Sequence, residues 1–335
     1  MRRWPELLIT AVLASVPLWL GDLYLLDILI RTGIFVIAAM SLNLLLGFTG
    51  QLSLGHVAFF GIGAYVTSLM SLGFDVHLAP KWLVTVSPKP VWISMLAGIF
   101  FAGLFGWLIG RVAFKVRGAY FVIVTVSFAE VVRLVALNWV ELTQGPMALN
   151  NIPVLMLWAP GVGDIRVAGK ANNYWLMLAF GLVAWIVIRR IVRSRAGRAM
   201  IALRENEPLA TSVGVDVTHY LVLATVVAAA IAGAAGTLYA HYIRIVDPDI
   251  FLFIYTVTMV IMVVTGGKGT LTGPLVGGLI FGLMPEVLRA FRTPPELQWI
   301  TYGVLMIAVV FLLPEGIVPA VSRWWRGHSG PAGAA

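Results

Sequence analysis

Few side chains in this sequence are equipped for chemistry, and most of them gather in one stretch. Residues 47–66 read GFTGQLSLGHVAFFGIGAYV. Gly47, Gly50, Gly55, Gly61 and Gly63 interrupt an apolar run, and Gln51, Ser53 and His56 set polar groups inside it. Non-helical backbone at membrane depth is tolerated only where protein buries it or where it lines a cavity. Broken helices of that kind build substrate sites in transporters, so Gly50, Gln51, Ser53, Gly55 and His56 are candidates for a translocation path. Ser53 is placed to cap a helix starting at Leu54, which would turn amide N–H groups and a positive dipole end toward a carboxylate. The same pattern describes a tight interhelical turn with glycines for close packing, and the residues alone leave the two readings level.

A second segment echoes the first. Gly266, Gly269, Leu271 and Thr272 repeat the spacing of Gly47, Gly50, Leu52 and Ser53, as an internal duplication would. Within it, GGKGT at 266–270 is no phosphate loop, because Met262 and Gly269 occupy the positions that need Gly and Ser/Thr. Any use of ATP must therefore come from a partner. The G-x-x-x-G spacings at Gly106/Gly110, Gly273/Gly277 and Gly278/Gly282 mark helix-packing faces. Glu130 and Arg133 share a helix face three residues apart, within an apolar run. Charge at that depth marks function by default, but a mutually neutralised pair with Arg133 reaching outward reads as structural.

Enzyme signatures are missing: there is no H-E-x-x-H, no G-x-S-x-G, and the five His are dispersed. With no Cys, thiolate nucleophiles, disulfides and Cys-based metal sites are excluded. Neither a metal nor a cofactor is expected, and the chain is read as a non-enzyme. The net charge of +8 comes from basic residues scattered between apolar runs, with no basic face interleaved with aromatics, so nucleic acid is not the partner.

The elements that must position these residues are membrane helices. The composition is 60% hydrophobic and 11% charged, far from the soluble average of about a quarter charged. A hydrocarbon core of ~30 Å takes about 20 apolar residues per helix. Runs of that kind lie near 5–21, 24–46, 54–72, 91–110, 118–138, 174–192, 219–240, 250–265, 274–292 and 298–314. The fold class is an all-α polytopic membrane protein of about ten spans, with the short eighth and tenth runs tilted or re-entrant. The N-terminal run has a basic start like a secretory signal and is read as a retained anchor, since further spans follow directly.

Lys and Arg set the orientation. Arg189, Arg190, Arg193, Arg195, Arg198 and Arg204 form the densest basic cluster. With that loop in the cytoplasm, alternation adds Arg2, Arg3, Arg111, Lys115, Arg117, Lys268, Arg323 and Arg326 to the same side, a majority of the 23 Lys and Arg. Arg289 and Arg292 fall on the opposite side. Both termini come out cytoplasmic. The expected organisation is one transmembrane domain over 1–326, with an external loop at 139–173, a cytoplasmic loop of helical character at 193–218, and a disordered tail at 327–335.

Four stretches resemble the high-affinity branched-chain amino-acid permease family of ABC importers, the LivM-like subunit. They are MSLNLLLGFTGQLSLGHVAFFGIGAYV (40–66), RGAYFVIVTVSFAEVVRLV (117–135), GRAMIALRENEPLATSVGVDVTHYLVLA (197–224) and GGKGTLTGPLVGG (266–278). The resemblance implies a type II-like importer permease in the bacterial inner membrane that moves Leu, Ile or Val. Related cargoes, such as urea, amides or aromatic acids, are the alternative within ATP-driven transport, and an ion-coupled secondary transporter is the alternative outside it. It also implies a second homologous permease as heterodimer partner, two cytoplasmic ATPases and a periplasmic substrate-binding protein. The family's ATPase dock is the loop before the seventh span, which here carries Glu205, Glu207, Ala210 and Gly214. Glu207-Pro208 opens a short helix that ends at Gly214, as Pro suits a first turn and Gly the position past the end. Ala210 and Ser212 are the small residues expected to let it enter a groove. Pro208 and Leu209 depart from the Glu-Ala-Ala type consensus of importer docking loops.

Overall fold

The computed structural model describes residues 13–19, 21–79, 82–116, 118–159, 163–167, 169–290 and 294–328. Helix α1 is seen over 13–19. Asp22 then caps α2 (Leu23–Asn43) by accepting the Tyr24 N–H at 2.8 Å, and α2 runs on as a π-helical turn over Leu44–Thr49. After the break come α3 (Val57–Leu72), α4 (Val91–Ala113) and α5 (Ala119–Asn138). The short α6 (Val140–Thr143) leads through an irregular segment to α7 (Lys170–Arg193). Two short helices, α8 (Arg195–Glu205) and α9 (Glu207–Ser212), precede α10 (Val217–Ile243), α11 (Phe253–Gly266), α12 (Gly273–Ala290), α13 (Pro295–Leu312) and α14 (Ile317–His328). Helix is present within each of the ten apolar runs. Five helical stretches among the described residues are both long and apolar enough to cross a membrane: Leu23–Thr49, Val91–Ala113, Ala119–Asn138, Lys170–Arg193 and Val217–Ile243.

The interior is built on α10 and α2, the two most buried of these spans. Small residues make that possible, since they let helix backbones approach without a side chain between them. A Cβ on Gly98 would sit 2.7 Å from the carbonyl of Gly63, and one on Gly106 would press into Ala229, so α3, α4 and α10 interlock through bare backbone. Gly277 lies against the carbonyl of Met262 and Gly278 against Val36, which joins α12 to α11 and α2. The G-x-x-x-G spacings are thus packing faces here.

Two hairpins depart from the all-helical expectation. Strand β1 (Phe74–Ala79) pairs antiparallel with β2 (Trp82–Val86), and β3 (Met156–Ala159) with β4 (Gly163–Arg166). The region expected as a plain loop at 139–173 is tied down over much of its length. Leu149 exchanges both backbone hydrogen bonds with Val246, at 2.8 and 3.0 Å, and Leu149, Ile152 and Leu155 are buried in the core. Of the expected tail, residues 327 and 328 close α14, and 329–335 lie outside the described residues. The first anchor is likewise seen only over 13–19.

Candidate functional site

Where α2 ends, its backbone loosens before it turns. The π-helical turn stops at Gly50, which has φ of 75° and ψ of 7°, and the Gly50 N–H returns to the carbonyl of Leu45. That left-handed conformation suits glycine, which carries no Cβ to clash. The matched glycine of the echo, Gly269, has φ of 74°. The matched glycines thus share a left-handed φ, and the two segments also meet. A Cβ on Gly269 would stand 2.8 Å from the carbonyl oxygen of Gly47. Asn43 fastens them: its Nδ2 donates to the carbonyl of Thr270 at 2.8 Å, and its Oδ1 accepts the Gly269 N–H at 2.9 Å. Thr270 in turn accepts the Gly273 N–H at 3.0 Å, capping the first turn of α12.

Helix α8 reaches into this junction. Arg204 Nη1 donates to the Gly47 carbonyl at 2.6 Å, while Nε and Nη2 hold Glu205 Oε1. Gly50 and Gly269 both leave room for it, since a Cβ on either would lie 2.9 Å from Arg204 Cγ or 2.7 Å from Nη1. Outside the junction is an open cleft of about 450 Å³ lined by Leu46, Gly47, Gly50, Arg204, Glu205, Lys268, Glu315 and Pro319. Glu315 pairs with Arg323 of α14 at 2.9 Å.

Beyond Arg204 the chain turns through Asn206, whose side chain accepts the Leu209 N–H at 3.0 Å and caps α9. Gly214, at φ of 90°, takes the chain out. The small-residue expectation at 210 needs correction. Ala210 is buried among Leu203, Leu221, Phe114 and Tyr220, so it holds α9 on its own chain and offers nothing outward. The outward side chains are Leu209, at 62% exposure, and Val213, at 74%, one turn apart. A six-residue helix has too few turns to be both anchored and exposed on one face, and the larger apolar residues took the outer one. Ser212 is exposed and Glu207 half-buried.

The rest of the broken segment faces the interior. Helix α3 starts at Val57, three residues later than expected, with no side-chain cap. Ser53 is buried and does not cap it. The first free amide, Val57 N–H, instead donates to Thr256 Oγ1 of α11 at 3.1 Å. The physical reason is Gly55: the turn before α3 lies so close to α5 that a Cβ there would overlap the Thr125 carbonyl. His56 is fully buried, with Nε2 2.7 Å from Ser41 Oγ. Ser41 gives its only proton to the Ala38 carbonyl at 2.7 Å, so Nε2 must carry the proton and Nδ1 is left an acceptor. That Nδ1 is enclosed with no partner among the described residues. Gln51 is half-buried beside the break, its N–H on the Leu45 carbonyl at 3.1 Å.

Structure thus brings Gly50 together with Arg204, while Gly55 packs on α5 and His56 bonds Ser41 of α2. Glu130 and Arg133 form a fork, with Arg133 Nη2 2.7 Å and Nε 3.0 Å from Glu130 Oε1. Sequence reasoning missed a second pair of this kind, Asp27 and Arg31 of α2 at 2.8 Å, reinforced by the Tyr242 hydroxyl. Their i,i+4 spacing was the available signal. It also missed Asn43, whose role depends on a loop 226 residues away.

Among the described residues no group of His, Asp and Glu is placed to hold a metal. What remains is a multi-pass membrane protein with broken helices and an exposed helical foot, the build of a transport subunit. The match to a family model bears this out: over residues 24–310 the chain fits the branched-chain amino acid transport system / permease component model, and it belongs to that family. It is 30% identical over 324 residues to the high-affinity branched-chain amino acid transport system permease protein LivM of Salmonella typhimurium, covering 91% of this chain and 72% of that protein. The corresponding LivH of Salmonella typhimurium is 26% identical over 295 residues, 85% of this chain and 91% of that one. A probable LivM of Methanocaldococcus jannaschii is 23% identical over 327 residues, covering 87% and 92%. No solved structure matches.

Proposed function

We propose that this chain is the membrane permease subunit of an ATP-driven importer of the type II-like class, carrying branched-chain amino acids across the bacterial inner membrane through about ten helices. It moves its cargo without covalent chemistry. A second homologous permease pairs with it, two cytoplasmic ATPases drive it through residues 193–218, and a periplasmic binding protein delivers the substrate. Both termini lie in the cytoplasm. The cargo follows the names of its relatives LivM and LivH.

The observation that carries the reading is the foot formed by α8 and α9. A chain with no phosphate loop needs force from outside, and here two apolar side chains, Leu209 and Val213, stand exposed on a short capped helix beside an arginine-rich segment. Exposed apolar side chains of this kind are anchors for a pocket in a partner. Glu205 and Glu207 flank them, and Gly214 frees the exit. Within the broken segment, His56 borders the path in this reading. An enclosed acceptor without a partner is costly unless something passing can satisfy it.

The test is co-purification of the ATPases with the assembled transporter. Leu209→Asp combined with Val213→Asp should cost at least about 2 kcal/mol, roughly a thirtyfold loss of ATPase binding, while insertion and pairing with the second permease persist. Normal ATPase recovery together with normal uptake in proteoliposomes would remove the docking assignment.

A further inference from the structure

We propose that Arg204 is the positioning residue that couples the docking foot to the membrane interior, by locking α8 onto both glycine turns at once. The inference rests on the docking reading, and concerns where the force goes after it arrives.

Three observations point to one joint. The guanidinium spans two parts of the chain: Nη1 is on the Gly47 carbonyl at the end of α2, and its other nitrogens are on Glu205 beside it. Arginine suits this task because its planar fork presents several donors in fixed geometry, whereas lysine offers a single rotating head. The matched glycines of the echo, Gly50 and Gly269, both at positive φ, are also the two whose missing Cβ admits this side chain. Finally, Asn43 ties the loop at 266–270 to the same turn from inside.

The mechanical consequence follows from what is rigid. Met200 and Leu203 bury one face of α8, and Ala210 fixes α9 to the same cluster, so the foot moves as a unit. The backbone it grips is the loosest part of α2, a π-helical turn ending in a left-handed glycine. Gly47 passes displacement to α2 directly, and Asn43 passes it to the loop that joins α11 and α12. One arginine therefore reaches the ends of four helices: α2, α8, α11 and, through the capping Thr270, α12. The cleft outside the joint leaves room for the movement, and Lys268 in its wall has no ion-pair partner among the described residues.

The experiment uses the complete transporter in proteoliposomes with its binding protein and substrate. Arg204→Gln should retain ATPase co-purification and basal ATP hydrolysis, yet lower the ratio of substrate-stimulated to basal hydrolysis by about fivefold or more, with uptake falling in step. Arg204→Lys should restore part of the ratio, since one donor can still reach Gly47. Asn43→Ala approaches the joint from the other side and should show the same uncoupling; it carries the test if Arg204→Gln does not accumulate. A purely structural role would lower the amount or melting temperature of the protein and leave the ratio unchanged, and that result in both variants overturns the proposal. Loss of ATPase binding in Arg204→Gln also overturns it, because Arg204 would then belong to the docking surface. The docking reading stands or falls separately, on Leu209 and Val213.

Discussion

The two ends of the helix bundle use the same device to opposite effect. At each, an arginine donates to a backbone carbonyl outside the regular α-helices. At the C-terminal end of α10, Arg244 Nε holds the Ile152 carbonyl at 3.0 Å. There His241 Nδ1 donates to the Pro153 carbonyl at 2.8 Å, which leaves Nε2 to accept from Thr67 at 3.0 Å. Leu149, Ile152 and Leu155 fill the space beneath, so the chain closes this end with its own residues. At the other end Arg204 holds Gly47, but a cleft stands beyond it and Leu209 and Val213 face outward. One arginine seals and the other connects. The first arginine fastens a segment whose buried residues complete the core, and the second stands between the core and an open cleft.

The comparison can be broken most severely through the frame that both ends share. Gly55→Leu would drive a side chain into the backbone of α5 at Thr125, and should cost most of the folded protein in the membrane. Membrane accumulation and detergent melting measure this. Full accumulation with transport alone abolished would instead show that Gly55 lines the path. A smaller effect sharpens the contrast between the arginines. Arg244→Gln should lower stability by about 1–3 kcal/mol, the range for losing a charged hydrogen bond to a buried carbonyl, with the stimulated-to-basal ATPase ratio unchanged. A changed ratio there would mean that the closed end also transmits force. The gentlest probe uses the absence of native cysteine. Asn150→Cys and Thr211→Cys, both at exposed positions, should react with impermeant maleimide from the periplasm and the cytoplasm respectively, with near-normal uptake. The reverse pattern would exchange the two ends and detach the docking proposal from the ATPases.

Much of this molecule was legible because membranes simplify physics. Long apolar runs leave backbone amides only helical partners, so the runs from 24–46 onward could be placed from composition and length. The capped helix from Glu207, with its left-handed Gly214, was legible for a similar reason: Pro and Gly have narrow backbone preferences wherever they occur. Ala210 misled, since small size says that a residue fits closely against something without saying against what. Ser53 misled likewise. Its capping geometry was locally sound, yet the close approach of Gly55 to α5 postponed the helix to Val57.

The sequence by itself determined that this is a helical membrane chain with an arginine-rich segment between two spans, a glycine-broken segment, and at 266–270 a glycine run that is no phosphate loop. These follow from local terms: hydropathy, backbone preference and the presence or absence of a functional group. Only the tertiary structure decided that Gly47 and Gly269 share one joint, that Asn43 and Arg204 fasten it, and that His56 is buried against Ser41. Such pairings join residues up to 227 positions apart. Their energy depends on helix packing that no local pattern encodes, because the same glycine serves a turn, a close contact or an opening according to what stands opposite.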